Sequence, residues 1–163
     1  MNYKIRHAAA ADREDLTDIF NYYIENSDAA FFEKKVSSIF FERLRDIVYG
    51  KSLYVIEAED GRKIGFGLLK QYHPSEVFRE VAEVGYFIRP EFTGKGFGTL
   101  MLERLISDAR EMGIKTLLAG ISSLNAESIA FHKKHGFAGC GIFRHIGLKR
   151  GKTFDVVWMQ KVI

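Results

Sequence analysis

Three glycines that alternate with Lys95 and Phe97 form the stretch with the clearest chemical potential. The segment Thr93-Gly94-Lys95-Gly96-Phe97-Gly98 follows an apolar run that ends before Pro90, and an amphipathic pattern begins at Thr99. A strand that passes through a glycine turn into a helix leaves the first helical N–H groups without intrahelical partners. These donors and the positive end of the helix dipole attract anions, and glycine lets the anion reach the backbone. The stretch therefore predicts a site for a pyrophosphate group.

Other interpretations of this glycine stretch compete with that prediction. A dinucleotide-binding fingerprint needs glycine at its sixth place, where Thr99 stands, and an acidic residue about 20 residues further on, which is missing. A phosphate loop that ends in Gly-Lys-Ser/Thr is excluded because Lys95 is followed by Gly96. A plain glycine-rich turn remains open, because a short glycine motif by itself has a high false-positive rate.

Histidine, cysteine and glutamate residues give weaker indications of a functional site. His132 and His135 are spaced like half of a metal site, but no third ligand stands at a clear spacing, so we expect no metal. The single cysteine, Cys140, excludes an intrachain disulfide and is expected to pack as a small apolar residue rather than to act as a nucleophile. Glu83 begins an apolar strand, and from the residues alone a solvent-facing edge glutamate is the simpler interpretation.

Composition limits the class of protein. The chain has 163 residues and is 47% hydrophobic, which predicts a single domain over residues 1–163 with a sizeable core. Its 24 basic and 21 acidic residues are mixed along the chain, so no nucleic-acid partner is expected. The first residues do not resemble a signal peptide, and no apolar run approaches the roughly 20 residues of a membrane span. We expect a cytoplasmic protein with no membrane partner.

Hydrophobic periodicity predicts four helices and about seven strands around these residues. Their order is strand, two helices, three strands, helix, strand, helix and two strands. This order predicts an α/β fold with a mixed, mostly antiparallel, twisted sheet and one parallel crossover through the long helix. The predicted helices run from an Asp12 N-cap to Asn26, from a Ser37 or Ser38 cap to Gly50, from the glycine turn to Gly113, and from Asn125 to Gly136. The predicted strands are residues 3–7, 53–59, 63–71, 83–88, 116–121, 137–145 and 154–160, with the last turn at Gly147–Gly151.

The whole pattern resembles the GNAT superfamily of acetyl-CoA-dependent N-acetyltransferases. Gly96 and Gly98 match its signature Gln/Arg-x-x-Gly-x-Gly/Ala, whereas Thr93 departs from the first place. Local stretches are similar to the phosphinothricin acetyltransferase-like branch: residues 21–27, Glu83 before Tyr86-Phe87-Ile88, Phe131-His132, and Phe154-Asp155-Val156-Val157-Trp158. The resemblance spans nearly the whole chain and implies the acyl-CoA N-acyltransferase fold.

The resemblance implies acetyl-CoA as cosubstrate and a set of residues that hold it. Amides of the glycine turn would bind the pyrophosphate, the strand backbone would align the pantetheine arm, and Asn125 would either cap a helix or also touch the coenzyme. The implied residues are Tyr86, Phe87, Ile88, Thr93, Gly94, Lys95, Gly96, Phe97, Gly98, Thr99, Asn125 and Ser128.

Two residues are implied to perform the chemistry, and four to line the acceptor pocket. In the phosphinothricin-like branch the position of Glu83 is the proposed general base, with Glu80 the alternative if the register slips. His132 stands where many GNAT enzymes carry a tyrosine that protonates the leaving thiolate. The basic pair that grips an acidic substrate in this branch is missing near His73 and Ser75. The implied pocket residues are Phe31, Tyr72, Phe78 and Arg79, joined by Lys149 and Arg150 from a neighbouring subunit.

Three functions remain open. The first is acetylation of a small amine, with phosphinothricin and methionine sulfoximine as the leading acceptors and a homodimer as the expected assembly. The second is a protein N-terminal or lysine acetyltransferase of the same fold, which the covered, aromatic loop over residues 27–36 disfavours. The third is a module that senses acetyl-CoA without turnover, which would not need Glu83 or His132.

Overall fold

The computed structural model describes residues 2–163 and contains the four predicted α-helices and seven strands in the predicted order. The helices are α1 Arg13–Asn26, α2 Ile39–Ile47, α3 Phe97–Glu111 and α4 Ala126–Lys134. The strands are β1 Tyr3–His7, β2 Val48–Ala58, β3 Lys63–Gln71, β4 Val81–Ile88, β5 Thr116–Ser122, β6 Ala138–Lys149 and β7 Lys152–Val162.

All seven strands form one sheet in the order β1-β2-β3-β4-β5-β7-β6. Only β4 and β5 are parallel, because the crossover through α3 returns the chain in the same direction. Every other neighbouring pair is antiparallel. The predicted mixed, mostly antiparallel sheet is therefore confirmed.

The sheet opens between β4 and β5. Their pairing covers only residues 81–83 of β4, and its last pair is Glu83 with Leu118. Beyond that pair β4 stays bound to β3 as far as Ile88, and β5 stays bound to β7 as far as Ser122. The facing edges of the two strands thus diverge into a fork whose backbone groups can receive a ligand.

Two apolar cores cover the two faces of the sheet. Met101, Leu102 and Leu105 of α3 are fully buried on one face, where residues of α4 also pack. Leu16 and Ile19 of α1 are buried on the other face together with α2. Side chains alternate along β4, so Tyr86 joins the α3 core while Phe87 joins the α1 core.

Several predicted element boundaries are wrong. Strand β2 begins at Val48 rather than residue 53, and β4 begins at Val81, so Glu83 is its third residue rather than its first. Gly50 does not end α2, because the helix stops at Ile47 and Gly50 lies inside β2 at a shift in the strand register, with φ of +61°. Asp12 does not cap α1: its carboxylate accepts the Ala9 N–H at 2.7 Å and binds Arg6, so it closes the preceding turn. The final hairpin turns at residues 150–151 rather than over Gly147–Gly151, because Lys149 pairs with Lys152.

Candidate functional site

The glycine turn presents a row of free backbone donors. Within residues 2–163 the N–H groups of residues 94–99 donate to no internal acceptor, and the helical ladder starts only with the Leu100 N–H to the Gly96 carbonyl at 3.1 Å. Gly94 and Gly96 have φ of +71° and +87°, a backbone region that residues with a Cβ rarely adopt. A Cβ at either glycine would meet no atom within 4 Å, so the space beside the turn is open. The turn is thus a cradle with room for an anion.

The side chains of the turn face away from that cradle. Phe97 is buried in the α3 core against Phe92, so its contribution to the cradle is its backbone N–H. Thr93 donates its hydroxyl to the Pro90 carbonyl at 2.8 Å, and the Lys95 ammonium donates to the Glu91 carbonyl at 2.8 Å. The cradle therefore consists of main chain, and the departure from the signature at Thr93 leaves it intact.

Helix α4 follows β5, the second strand of the fork, and contacts α3. The hydroxyl of Thr99 lies 3.0 Å from Nε2 of His135, and Gly98 faces the Phe131 ring, which an added Cβ would contact at 3.5 Å. Asn125 caps α4, because its side-chain oxygen accepts the Ser128 N–H at 3.2 Å. The capping role of Asn125 is thus confirmed.

Tyr86 and His132 form a hydrogen-bonded pair on the α3 side of the fork. The Tyr86 hydroxyl lies 2.8 Å from Nε2 of His132, and Nδ1 of His132 lies 2.7 Å from the Ser128 carbonyl. Because that carbonyl only accepts, Nδ1 carries the ring proton and Nε2 accepts the tyrosine proton. His132 is 4% exposed, whereas Tyr86 is only partly buried.

Burial controls the protonation of this pair. Desolvation lowers the pKa of His132 below its ordinary value, and the nearby His135 lowers it further, whereas the hydrogen bond to the Ser128 carbonyl acts in the opposite direction. Desolvation also raises the pKa of the Tyr86 hydroxyl. At neutral pH the pair is therefore an uncharged phenol that donates to an uncharged imidazole.

Glu83 stands at the point where β4 and β5 separate, with its side chain 16% exposed. It shares a face with Phe87 and so lies on the α1 side, whereas Tyr86 lies on the α3 side. Its carboxylate contacts the Lys70 ammonium at 2.7 Å. Glu80, the alternative, precedes the strand and pairs with Lys115 at 2.9 Å on the surface, so the register that singles out Glu83 is the observed one.

Tyr72 and Phe78 lie together in the loop between β3 and β4. Their ring centroids are 5.4 Å apart, and His73 lies 5.0 Å from Phe78. All three rings form a partly exposed aromatic wall beside the end of β3 that carries Lys70. Arg79 does not join this wall, because its guanidinium donates to the Glu76 carbonyl at 3.2 Å.

Phe31 is held on the loop between α1 and α2, half-exposed and stacked on Phe154 of β7 at 5.6 Å. Lys149 and Arg150 fasten this loop within the same chain. The buried Lys149 ammonium donates to the Ser27 and Ala30 carbonyls at 2.8 and 2.9 Å, and Arg150 donates to the Ser27 carbonyl at 2.9 Å. Both side chains thus have partners within their own chain, and their reach into a neighbouring subunit stays a prediction.

Sequence reasoning missed two residues of the fork. Lys70 was not singled out, although its place opposite Glu83 follows from the register of the β3–β4 hairpin. Tyr23 of α1 donates its hydroxyl to the Ile88 carbonyl at the end of the fork, and burial raises its pKa to about 12. The helical spacing of Tyr23 marked it only as apolar core, because periodicity does not reveal a hydrogen bond to a distant strand.

Three further predictions from the sequence concern a metal site, the packing of Cys140 and a membrane span. In the described part of the chain, no three His, Cys, Asp or Glu side chains gather as a metal site would need, and His132 and His135 bind carbonyls through their Nδ1 atoms. Cys140 is exposed rather than packed, because the whole of its strand β6 lies at the sheet edge. Over residues 2–163 no helix combines the length and apolarity needed to span a bilayer.

Comparison with known proteins places this geometry in a family. Residues 16–137 match the "Acetyltransferase (GNAT) family". The chain is 31% identical over 162 residues to the L-methionine sulfoximine/L-methionine sulfone acetyltransferase of Pseudomonas aeruginosa, covering 98% of this chain and 94% of the relative.

Two solved structures share the fold over nearly the full length. One is a phosphinothricin acetyltransferase of Sinorhizobium meliloti in complex with acetyl-CoA, with a TM-score of 0.92 and 27% identity over 100% of this chain and 89% of that chain. The other is a ribosomal-protein-alanine N-acetyltransferase of Brucella melitensis, with a TM-score of 0.88 and 35% identity over 98% and 99%. With its forked sheet, its glycine cradle and a family match over most of its length, the chain belongs to the GNAT family of acetyltransferases.

Proposed function

We propose that the protein transfers the acetyl group of acetyl-CoA to the amine of a small amino-acid-like substrate of the phosphinothricin or methionine sulfoximine type. The observation that carries the proposal is the fork, which opens from Glu83 on one face and holds the Tyr86–His132 pair on the other. A cosubstrate on the α3 side and an amine on the α1 side would meet there. The full-length similarity to an amino-acid acetyltransferase supports this substrate class.

The cradle fits a pyrophosphate, since its six amides, at residues 94–99, donate to no acceptor within residues 2–163 and open space adjoins Gly94 and Gly96. The diverging backbone of β4 from Tyr86 through Phe87 to Ile88 would align the pantetheine arm as a neighbouring strand would. Asn125 and Ser128 at the start of α4 would border the same channel. Bound acetyl-CoA supplies an activated thioester, and the chain orients it.

In the proposed reaction Glu83 takes a proton from the substrate ammonium, directly or through water, so that the amine becomes nucleophilic. The nitrogen attacks the thioester carbonyl, the new C–N bond forms, and the C–S bond breaks without an acyl-enzyme. The departing thiolate takes a proton on the α3 side of the fork, where His132 remains the predicted acid. Because Nε2 of the resting His132 accepts the Tyr86 proton, His132 must first take up a proton at Nε2; it can then give this proton to the Tyr86 oxygen while the Tyr86 hydroxyl proton passes to the thiolate. His132→Gln is expected to lower kcat, and an unchanged kcat would remove this role.

The aromatic residues on the α1 side are the proposed acceptor pocket. Phe31 enters from the fastened loop, and Tyr72 and Phe78 form the wall at the end of β3. Arg79 is the fourth implied pocket residue, and one N–H of its guanidinium donates to the Glu76 carbonyl of its own turn. The other N–H groups of Arg79 would be the donors to an acidic group of the substrate.

Thiol release from acetyl-CoA in the presence of an amine panel tests the proposed function. We expect turnover with at least one of phosphinothricin, methionine sulfoximine and methionine sulfone, because the site resembles that of amino-acid acetyltransferases. Reactions without amine and with glycerol as a hydroxyl acceptor are the controls. Acetyl-CoA binding without turnover of any panel member would contradict the proposal.

Protein N-terminal acetylation is the second candidate, favoured by the 35% identity to the ribosomal-protein-alanine acetyltransferase. The loop that carries Phe31 argues against it, because the internal bonds of Lys149 and Arg150 hold this loop over the α1 side. A peptide that begins with alanine, added to the same panel, separates the two. Turnover of the peptide alone would favour the second candidate.

We also propose a homodimer, with the cytoplasm as its location. Strand β6 ends the sheet with an unpaired edge and exposes four large apolar side chains, an arrangement that monomers avoid. These side chains are Ile142, Phe143, Ile146 and Leu148. Light scattering should give a mass near twice 18.6 kDa and a smaller mass for Ile146→Lys. A wild-type mass of one chain would contradict the dimer.

A further inference from the structure

We propose that Lys70 recognises the substrate carboxylate, so that the enzyme accepts α-amino acids as zwitterions and discriminates against amines that lack the acid. The inference rests on the proposed function and names the residue that would set its substrate class. Its basis is the ion pair between the Lys70 ammonium and the Glu83 carboxylate, 2.7 Å apart.

The position of this pair ties it to the reaction. Lys70 and Glu83 are directly opposite on β3 and β4, and Glu83 belongs to the last residue pair before the fork opens. Side chains directly opposite on antiparallel strands share a face, so Lys70 lies on the acceptor side with Glu83. Glu83 is 16% exposed and Lys70 41%, so the ammonium reaches inward from the rim.

Other cations near the acceptor side are engaged elsewhere. Arg79 donates to the Glu76 carbonyl, and Lys149 is buried with its ammonium on two loop carbonyls. Arg150 donates to the Ser27 carbonyl, and its backbone N–H binds Glu33. Lys70 differs from these three because its partner is the proposed base, a group that must change partners when an amine arrives.

An α-amino acid allows a clean exchange of partners. Its ammonium replaces the Lys70 ammonium at Glu83, and its carboxylate takes the Lys70 ammonium that has been released. Each charge keeps an opposite charge, and the proton then passes from the substrate ammonium to Glu83 before the C–N bond forms. A substrate without the carboxylate leaves Lys70 unpaired beside its own cation, which costs affinity because hydrogen bonds to charged groups are among the strong ones.

The exchange also makes Glu83 available to the substrate. In the resting site the Lys70 ammonium contacts Oε2 of Glu83, at 2.7 Å. Substrate binding removes Lys70 and gives Glu83 a proton donor in the same step, which restricts base catalysis to the complex with a carboxylate-bearing amine.

The test compares methionine sulfone with its primary carboxamide, which keeps the amine and side chain and removes the acid charge. In wild-type protein we expect kcat/KM to favour the acid by roughly tenfold or more, the range of one charged hydrogen bond. Lys70→Met should bring the ratio close to one, mainly by raising KM for the acid, and Lys70→Arg should restore part of it. Lys115→Met is the matched control, because Lys115 forms a similar pair with Glu80 at 2.9 Å outside the fork.

Two outcomes would overturn the inference: equal wild-type kcat/KM for acid and carboxamide, or an unchanged ratio in Lys70→Met. Failure of the proposed function has a different signature, namely no thiol release with any amino acid. In that event, calorimetric titration of both compounds into the CoA complex still decides about Lys70. Tighter binding of the acid in wild-type protein and equal binding in Lys70→Met would support it, and equal binding in wild-type protein would overturn it.

Discussion

Replacement of Glu83 by glutamine is expected to keep acetyl-CoA binding and to lower kcat by at least about tenfold, since a positioned general base typically contributes that much or more. The amide has nearly the shape of the carboxylate but accepts no proton at neutral pH. The cradle lies at residues 94–99, away from Glu83, so the affinity for the coenzyme should not change. Thiol release and calorimetric titration of acetyl-CoA measure the two quantities.

Glu80→Gln is the matched control for that experiment. Glu80 is three residues earlier, also pairs with a lysine, and lies on the surface before β4 begins. We expect its kcat to equal the wild-type value. Unchanged turnover in Glu83→Gln would exclude Glu83 as the base. Absence of turnover in wild-type protein, together with coenzyme binding, would instead support the sensing module.

A glutamate in place of Gly96 should abolish most of the affinity for acetyl-CoA. Gly96 is the N-cap residue of α3 and has φ of +87°. A residue with a Cβ in this backbone region lowers the stability of the fold by about 1–2 kcal/mol. The added carboxylate would also stand beside the free amides and repel the pyrophosphate, an interaction of about 4 kcal/mol for two unit charges 4 Å apart near a protein surface. We therefore expect at least about a hundredfold weaker binding, measured by calorimetry.

Gly61 provides a control with matched backbone strain. Its φ is +86°, and an added Cβ would meet no atom within 4 Å, as at Gly96. Gly61 lies in the β2–β3 turn, so Gly61→Glu should lose similar stability in thermal unfolding and keep acetyl-CoA affinity. Undiminished affinity in Gly96→Glu would show that the anion site is elsewhere. Equal loss in both variants would show that strain, and not the cradle, governs binding.

Local sequence patterns predicted much of the fold correctly. The amphipathic spacing of α1 and α3 and the glycine turn are short-range features, because the residues that decide them are within one or two turns of each other. The Asn125 cap belongs to the same class, since its partner is the N–H three residues later. The predicted Asp12 cap is wrong because Arg6 of β1 binds the Asp12 carboxylate. Helix-capping rules consider only the residues at the helix end, so they do not predict this contact.

In the candidate site, local sequence and tertiary structure decided different features. By themselves the residues determined a glycine turn before a helix, its capacity for anions, and the order of strands and helices. Tertiary structure alone decided that Glu83 meets Lys70, that Tyr86 meets His132, and that Lys149 fastens the loop that carries Phe31. These contacts depend on strand register, on the side of β4 that each residue faces, and on packing between segments as much as 122 residues apart. Such separations lie beyond any local periodicity, because they are fixed only when both cores close around the sheet.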